Sequence, residues 1–222
     1  MELTLPSGTA AYVARTEGAT RGLVIIPDVW GLRPLFTEMC DDLARRTGWS
    51  VGSFEPFAGR DLPGEGDADA GPARFAVMPE MSDRQLLGDA VATADEIGLE
   101  HVGLIGFCMG GMYALKASFL ERFDRIAAFY GMIHVPEAWQ GPEQGEPLAA
   151  LAARGTTAVM AVVGSVDPYT PPGHLQELRD AGVDVVEYVG ADHGFVHDPS
   201  RPSHRADDAA EAWDRVLTFL AG

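Results

Sequence analysis

The amino-acid sequence predicts a single α/β domain over residues 1–222, with a mostly parallel central sheet covered by helices on both faces. Short apolar runs alternate along the chain with segments of helical periodicity, as in proteins built from strand–helix–strand units. The apolar runs contain little polar alternation, which is typical of strands buried on both faces. A chain of 222 residues, of which 46% are hydrophobic, can form one sizeable core and is short for two.

The N-terminal segments predict a hairpin followed by the first parallel unit. The runs ELTL and TAAYVA are separated by the turn residues PSG and predict two paired strands. The run GLVIIP predicts a buried strand that ends at Pro27. In the next segment, residues 33–48, apolar residues recur at helical spacing and Gly48 is placed to end the helix.

The rest of the chain continues this alternation. Further strands are predicted for WSVGSFEP, HVGLIGF, RIAAFYG, TAVMAVVG and DVVEYVG. Helices are predicted for DRQLLGDAVATADEIG, capped by Ser82, and for GGMYALKASFLE, PGHLQELRDAG and RADDAAEAWDRVLTFLA. Two long connections, residues 56–81 and 134–147, are rich in Gly and Pro, and the first is a candidate border of, or lid over, a functional site.

Charge and cysteine content narrow the classes of partner and environment. The 33 acidic and 16 basic residues give a formal charge of −17, which disfavours binding to nucleic acid or to an anionic membrane. The sequence contains neither a long apolar run nor a signal-peptide pattern, so we expect a cytoplasmic protein. Two cysteines, Cys40 and Cys108, cannot build a disulfide framework, and a reducing compartment suits a reactive thiol.

The segment GFCMGG, residues 106–111, places Cys108 between glycines, directly after a predicted strand and before a predicted helix. Its form, G-x-C-x-G-G, is a nucleophile elbow with Cys in place of Ser. The start of the helix would favour the thiolate form, and the Met109 N–H is one half of a predicted oxyanion hole. The alternative interpretation is a structural cysteine in a glycine-rich turn.

Candidate partners for Cys108 follow later in the chain. Asp167 and His193 each lie just after a predicted strand, where the functional residues of open parallel sheets collect. The order nucleophile, acid, histidine is that of α/β-hydrolase triads, so we predict His193 as the general base and Asp167 as the residue that orients its ring. Asp167 in an Asx turn, His193 as an ordinary loop histidine and Asp192 as a competing acid remain alternatives.

The motifs GFCMGG, GSVDPYTP and ADHGF together resemble those of the dienelactone hydrolases, or carboxymethylenebutenolidases, from about residue 22 to the C-terminus. The resemblance implies an α/β-hydrolase fold and hydrolysis of dienelactone to maleylacetate during bacterial breakdown of aromatic compounds. It implies a small-molecule lactone or ester as substrate, without a metal or cofactor. Whether the protein is a monomer or a homodimer stays open.

The resemblance also implies roles for residues of IIPDVWGL. Asp28 matches a family glutamate that helps to deprotonate the thiol once substrate is bound, although its side chain is one methylene shorter. The N–H of Val29 would complete the oxyanion hole, and Trp30 would form a pocket wall. Alternatively, Asp28 caps the helix that starts near Pro34, and Trp30 belongs to the core.

The residues implied to bind substrate depart from the family pattern. Family members hold the substrate carboxylate with arginines, one of them two residues after the His-Gly-Phe turn, where this chain has His197. Arg74 is a loose match to another family arginine, and Phe195 is predicted to be a pocket wall. His193 and His197 lie four residues apart but have no third ligand at a convincing spacing, so we predict no metal there.

These observations leave three hypotheses for the function. The first is hydrolysis of a lactone or small ester by Cys108 through an acyl-thioester intermediate. The second is a general hydrolase of small esters or thioesters without dienelactone activity, which His197 at the arginine position favours. The third is a non-catalytic binding module on the same fold.

Overall fold

The computed structural model describes residues 1–222 and contains one sheet of eight strands. The strands are β1 (Glu2–Thr4), β2 (Ala10–Ala14), β3 (Arg21–Ile26), β4 (Ser50–Phe54), β5 (His101–Phe107), β6 (Arg125–Phe129), β7 (Ala158–Gly164) and β8 (Asp184–Tyr188). Their order across the sheet is β1-β2-β4-β3-β5-β6-β7-β8. The pairs β1–β2 and β2–β4 are antiparallel, and every other pair is parallel. The predicted mostly parallel α/β architecture is therefore confirmed.

Seven α-helices connect these strands or close the chain: α1 (Pro34–Thr47), α2 (Ala70–Val77), α3 (Asp83–Ile97), α4 (Met109–Lys116), α5 (Pro147–Ala153), α6 (Pro172–Asp180) and α7 (Ala206–Ala221). Gly48 ends α1 with φ 73°, and the Ser82 hydroxyl accepts a hydrogen bond from the Gln85 N–H at the start of α3. No helix has the length and apolarity required to cross a membrane.

The helices α2 and α5 were not predicted from the sequence. The helix α2 lies within the first long connection, α5 begins at the last residue of the second one, and the two helices have eight and seven residues, respectively. So short a segment carries little periodicity, and α2 includes Gly71 and Pro72 in its first turn. These helices depend on tertiary contacts, which a local pattern cannot reveal.

The sheet separates two apolar layers. One face packs against α3 and α4 through residues such as Leu86, Ala90 and Met112. The opposite face packs against α1 and α7 through residues such as Phe36 and Val216. Neighbouring side chains of a strand point to opposite faces of the sheet. Because both faces of an inner strand are covered by helices, its side chains are apolar on both faces, and its sequence is an uninterrupted apolar run.

The parallel strands end at one common edge, and this edge positions the predicted site residues. The pairing of Ile26 with Gly106 and of Phe107 with Phe129 keeps the ends of β3, β5 and β6 level. The segments after β3, β5, β7 and β8 carry Asp28, Cys108, Asp167 and His193, respectively. Residues that are distant in sequence are thus brought to the carboxyl edge of the sheet.

Candidate active site

Cys108 lies at the sharp turn between β5 and α4. Its backbone angles, φ 56° and ψ −116°, are strained for a residue other than glycine. A Cβ atom on Gly106 would lie 2.0 Å from the Gly110 carbonyl oxygen, and one on Gly110 would lie 2.2 Å from the Ile26 carbonyl oxygen. A side chain at either position would force the turn apart, so the glycines allow the backbone contacts that hold the cysteine in this conformation.

His193 and Asp167 form a hydrogen-bonded pair beside this turn. The His193 Nδ1 lies 2.8 Å from the Asp167 Oδ2, and the aspartate side chain is fully buried. The other carboxylate oxygen, Oδ1, accepts the N–H of Tyr169 at 2.8 Å. The Asx turn and the orientation of His193 are therefore compatible roles of one carboxylate. Asp192 accepts the backbone N–H of His193 and makes no hydrogen bond to its ring.

The pKa of His193 is raised to about 10. Burial by itself would lower it, but the hydrogen bond to Asp167 and the nearby Cys108 sulfur outweigh burial. The remaining ring nitrogen, Nε2, is buried and makes no hydrogen bond of ordinary geometry. The ring is therefore held as an imidazolium at neutral pH, with one nitrogen still free to exchange a proton.

A cavity of about 430 Å³ contains both Cys108 and His193 in its lining. The full lining consists of Val29, Trp30, Phe75, Cys108, Met132, Trp139, Tyr169, His193, Arg201, Pro202 and Ser203. Phe75 and Trp139 stack with ring centroids 5.9 Å apart. One comes from each long connection, so both connections border the cavity. Its walls are mainly apolar, and Arg201 is the only arginine or lysine among them.

Two backbone N–H groups are available near Cys108. The N–H of Val29 makes no hydrogen bond within the protein, and Val29 lines the cavity. Met109 is the first residue of α4, where helical N–H groups have no partner within the helix. The Trp30 N–H donates to Asp28 at 2.9 Å, which holds the loop that carries Val29. Both N–H groups are therefore left without a partner in the protein beside Cys108.

Asp28 is fully buried and pairs with two arginines and a histidine instead of with the cysteine. Its Oδ1 accepts from Arg33 at 2.7 Å, and its Oδ2 accepts from His197 at 2.9 Å and from Arg201 at 3.4 Å. Burial would raise the pKa of Asp28, but His197 and Arg33 lower it well below its usual range. The structure contains no hydrogen bond between Asp28 and Cys108. The Asp28 carboxylate is a weak base and both of its oxygens already accept hydrogen bonds, so it is poorly suited to accept the thiol proton of Cys108.

His197 is the inner member of the same cluster. Its Nε2 faces the Asp28 carboxylate, and its Nδ1 is paired with the Tyr130 hydroxyl. Burial lowers the pKa of His197, and the Arg201 and Arg33 charges add to this effect, against the opposing effect of Asp28. The ring is therefore neutral at neutral pH, and His197 does not line the cavity. The implied contact between His197 and substrate does not occur in this arrangement.

Two other predicted substrate contacts are also displaced from the cavity. The Arg74 guanidinium donates to the carbonyl oxygens of Pro63 and Ala70 and lies 5.4 Å from the centre of the Trp30 ring, so it supports that pocket wall from behind. Phe195 is fully buried among core aromatic residues. Trp30, by contrast, does line the cavity.

Several lining residues were not predicted as site residues: Phe75, Met132, Trp139, Tyr169, Arg201, Pro202 and Ser203. Arg201 carries a sequence signal, because it is a cation eight residues after His193 in the same loop. Tyr169 lies two residues after Asp167, with Pro168 between them, and belongs to the same turn as Asp167. The others lie in segments without periodicity, and only the folded chain brings them to the cavity.

The family model for the dienelactone hydrolase family matches residues 9–222. The chain belongs to the dienelactone hydrolase family. Membership confirms the resemblance carried by the cysteine, aspartate and histidine motifs. It also identifies the chain as a hydrolase of carboxylic esters.

Individual relatives agree with this assignment. Carboxymethylenebutenolidase 2 of Cupriavidus pinatubonensis is 28% identical over 92% of this chain and 88% of its own length. A Bradyrhizobium protein, described as a "probable 2-oxo-3-(5-oxofuran-2-ylidene)propanoate lactonase", is 25% identical over 95% of this chain and 88% of its own length. A crystal structure of a candidate dienelactone hydrolase from Klebsiella pneumoniae superimposes with a TM-score of 0.83 at 21% identity, covering 100% of this chain and 97% of that one. The superposition confirms the predicted α/β-hydrolase fold.

Proposed function

We propose that this chain acts as a single domain that hydrolyses a lactone or small carboxylic ester with Cys108 as the nucleophile. One observation carries the proposal: His193 is hydrogen-bonded to Asp167 through Nδ1, while its unpaired Nε2 lies at the cavity that Cys108 also lines. This arrangement supports a Cys108–His193–Asp167 triad, because the imidazolium stabilises an adjacent thiolate and Asp167 holds the ring.

The proposed reaction has two steps. The Cys108 thiolate attacks the carbonyl carbon, and the N–H groups of Val29 and Met109 bind the resulting oxyanion. Collapse of the tetrahedral intermediate breaks the ester C–O bond, and the leaving oxygen receives the proton of His193. A water molecule then attacks the thioester while His193 accepts its proton, and the carboxylic acid leaves as the thiolate is restored.

The cavity supports a substrate that combines an apolar body with an anionic group. Arg201 is the only arginine or lysine in the lining, and its side chain is 25% exposed. We infer that its guanidinium binds the substrate carboxylate in place of the family arginine at the His197 position. Trp30, Met132 and Trp139 would contact the apolar part of the substrate.

A second candidate function is a general hydrolase of small neutral esters or thioesters. Arg201 already interacts with Asp28 at 3.4 Å and with Asp198 at 3.6 Å, which neutralises much of its charge. The net charge of −17 also repels anionic substrates at long range. Both features favour a neutral substrate.

Comparing kcat/KM for dienelactone with that for p-nitrophenyl acetate separates the two candidates. A preference for the lactone, with KM for the lactone raised about tenfold by Arg201→Gln and KM for the neutral ester unchanged, supports the lactone function. A large preference for the simple ester contradicts it. Cys108→Ala is the control, and mass spectrometry of acid-quenched reactions tests for an acyl group on Cys108.

Alkylation by iodoacetamide tests whether the fold is instead a non-catalytic binding module. Cys108 lines the cavity, whereas Cys40 is fully buried and burial raises its pKa far above the usual range. We expect Cys108 to be labelled much faster than Cys40 at pH 7. Equally slow labelling of both cysteines would favour the binding module.

A further inference from the structure

We propose that His134, His174 and Glu177 form a binding site for a divalent transition metal of the zinc class, separate from the catalytic triad. One ligand atom from each of these side chains lies within 4.8 Å of the other two. Two imidazoles and one carboxylate are the donors found in many three-residue zinc sites, which leave a fourth position for water.

Two elements present these side chains to each other. His174 and Glu177 are three residues apart on α6, so both lie on one face of that helix. His134 belongs to the connection after β6, and its Nε2 lies 3.1 Å from the Glu177 Oε2. The rings of His134 and His174 stand edge to face with centroids 4.7 Å apart. Tetrahedral coordination spaces donor atoms by about 3.4 Å, so modest side-chain rotations would close the site.

Glu146 lies where an outer-shell carboxylate is expected. Its Oε2 is 3.8 Å from the His134 Nδ1, the ring nitrogen that does not face Glu177. The same oxygen accepts the Val135 N–H at 3.0 Å, which holds the carboxylate in place. Metal-bound histidines commonly donate their second ring N–H to such a carboxylate, which orients the ring and increases its basicity.

The partners within the protein do not satisfy all of the polar atoms of the cluster. The Nδ1 of His174 is buried and has no hydrogen-bond partner. His134 and Glu177 remain 40% and 45% exposed, so solvent and ions reach the site from one side. The negative net charge of the protein favours cation binding at such a position.

Metal binding at this site would connect two segments that form the catalytic cavity. His134 follows Met132 by two residues, and His174 follows Tyr169 by five, and both Met132 and Tyr169 line the cavity. Asp167 lies in the same turn as Tyr169. A bound ion would therefore restrain the connection after β6 relative to the turn that holds the proposed catalytic acid.

Isothermal titration with Zn²⁺ tests the site directly. The titrations use protein carrying Cys108→Ser, because the thiolate of Cys108 could itself bind zinc. We expect one equivalent of Zn²⁺ to bind, with the affinity reduced at least tenfold by His134→Ala and by His174→Ala, and about tenfold by Glu146→Gln. His101→Ala is the matched control, because His101 is also an exposed histidine and pairs with the carboxylate of Asp124. This control variant should bind Zn²⁺ as tightly as the parent protein.

Thermal melting in EDTA and with Zn²⁺ shows whether each variant folds and supplies a second readout. The thermal midpoint of the parent should rise with Zn²⁺, and that of the His134 and His174 variants should not. If one histidine variant fails to fold, the other histidine variant and Glu177→Gln carry the test. The absence of saturable binding in the parent, or binding that survives both histidine substitutions, would overturn the proposal.

Discussion

His193 and His197 lie four residues apart in the loop after β8, and each contacts a buried aspartate, yet their pKa values shift in opposite directions. His193 pairs with Asp167, lines the cavity and has a pKa raised to about 10. His197 pairs with Asp28, is fully buried and has a lowered pKa. One ring is held positively charged beside the proposed nucleophile, whereas the other is neutral within the core.

Burial and the charges around each pair together explain the difference. Asp167 has one ring and one backbone N–H as partners, so its charge acts mainly on His193. Burial is the largest cause of the lowered pKa of His197, and the guanidinium groups of Arg33 and Arg201, which share Asp28 with it, also repel a proton on its ring. A histidine–aspartate contact is therefore not sufficient to identify a catalytic base, because burial and the other charges near the carboxylate also determine the protonation of the ring.

The largest effect expected from this comparison is on activity. We expect His193→Gln to lower kcat/KM by about 1,000- to 10,000-fold, because it removes the proposed general base. The matched change His197→Gln keeps an amide donor for Asp28 and should alter kcat/KM by less than about tenfold. Steady-state hydrolysis of p-nitrophenyl acetate measures both. Equal losses in the two variants would show that His197 contributes to catalysis.

The next largest effect is on stability. Asp28→Asn removes the fully buried carboxylate that pairs with Arg33 and leaves Arg33 only its contact with the more exposed Glu65, so it should lower the free energy of unfolding by about 3 kcal/mol. Asp42→Asn, whose side chain is 52% exposed, should change it by less than about 0.5 kcal/mol. Urea denaturation followed by circular dichroism measures both values. A loss for Asp28→Asn no larger than that for Asp42→Asn would contradict the structural role of Asp28.

A smaller effect concerns acid stability. Because the pKa of Asp28 is lowered in the folded state, its contribution is present above its unfolded pKa near 4 and is lost as the pH falls through the folded pKa. Denaturation at pH 5 and at pH 2.5 should therefore show a smaller loss for Asp28→Asn than for the wild type, by about 2 kcal/mol. Parallel losses in the two proteins would exclude Asp28 as a source of acid sensitivity.

The smallest effect has the opposite sign of pH dependence. The raised pKa of His193 stabilises the fold below the unfolded histidine pKa near 6.5, and this contribution is lost as the pH rises through about 10. Asp167→Asn removes one cause of the raised pKa. It should reduce the loss of stability between pH 7 and pH 10 by about 1 kcal/mol. Melting curves across this range would contradict the assignment if the variant kept the wild-type slope.

The elements with strong local signals were predicted correctly. The inner strands are apolar on both faces, and α1, α3 and α7 carry an apolar stripe with a distinct start or end. The elbow glycines also stand next to the cysteine in sequence, so the backbone contacts at Gly106 and Gly110 have a local signature. The short helices α2 and α5 lacked such signals and were missed.

The partners of Asp28 depended on the fold. His197 lies 169 residues from Asp28 in sequence, and Arg201 lies 173 residues away. The family resemblance implied that Asp28 helps to deprotonate Cys108, but two guanidinium groups and an imidazole bind its carboxylate instead. The locations of Arg74 behind Trp30 and of Phe195 in the core were equally inaccessible to local patterns.

The sequence by itself determined the α/β class, the order of the eight strands and of five of the seven helices, and the motifs of the dienelactone hydrolase family, because periodicity and turn chemistry act over a few residues. Only the tertiary structure decided which histidine keeps its charge, which arginine reaches the cavity and which side chains form its walls. The physical reason is that burial and electrostatic interactions depend on distances between atoms in space, and the folding of the chain sets those distances.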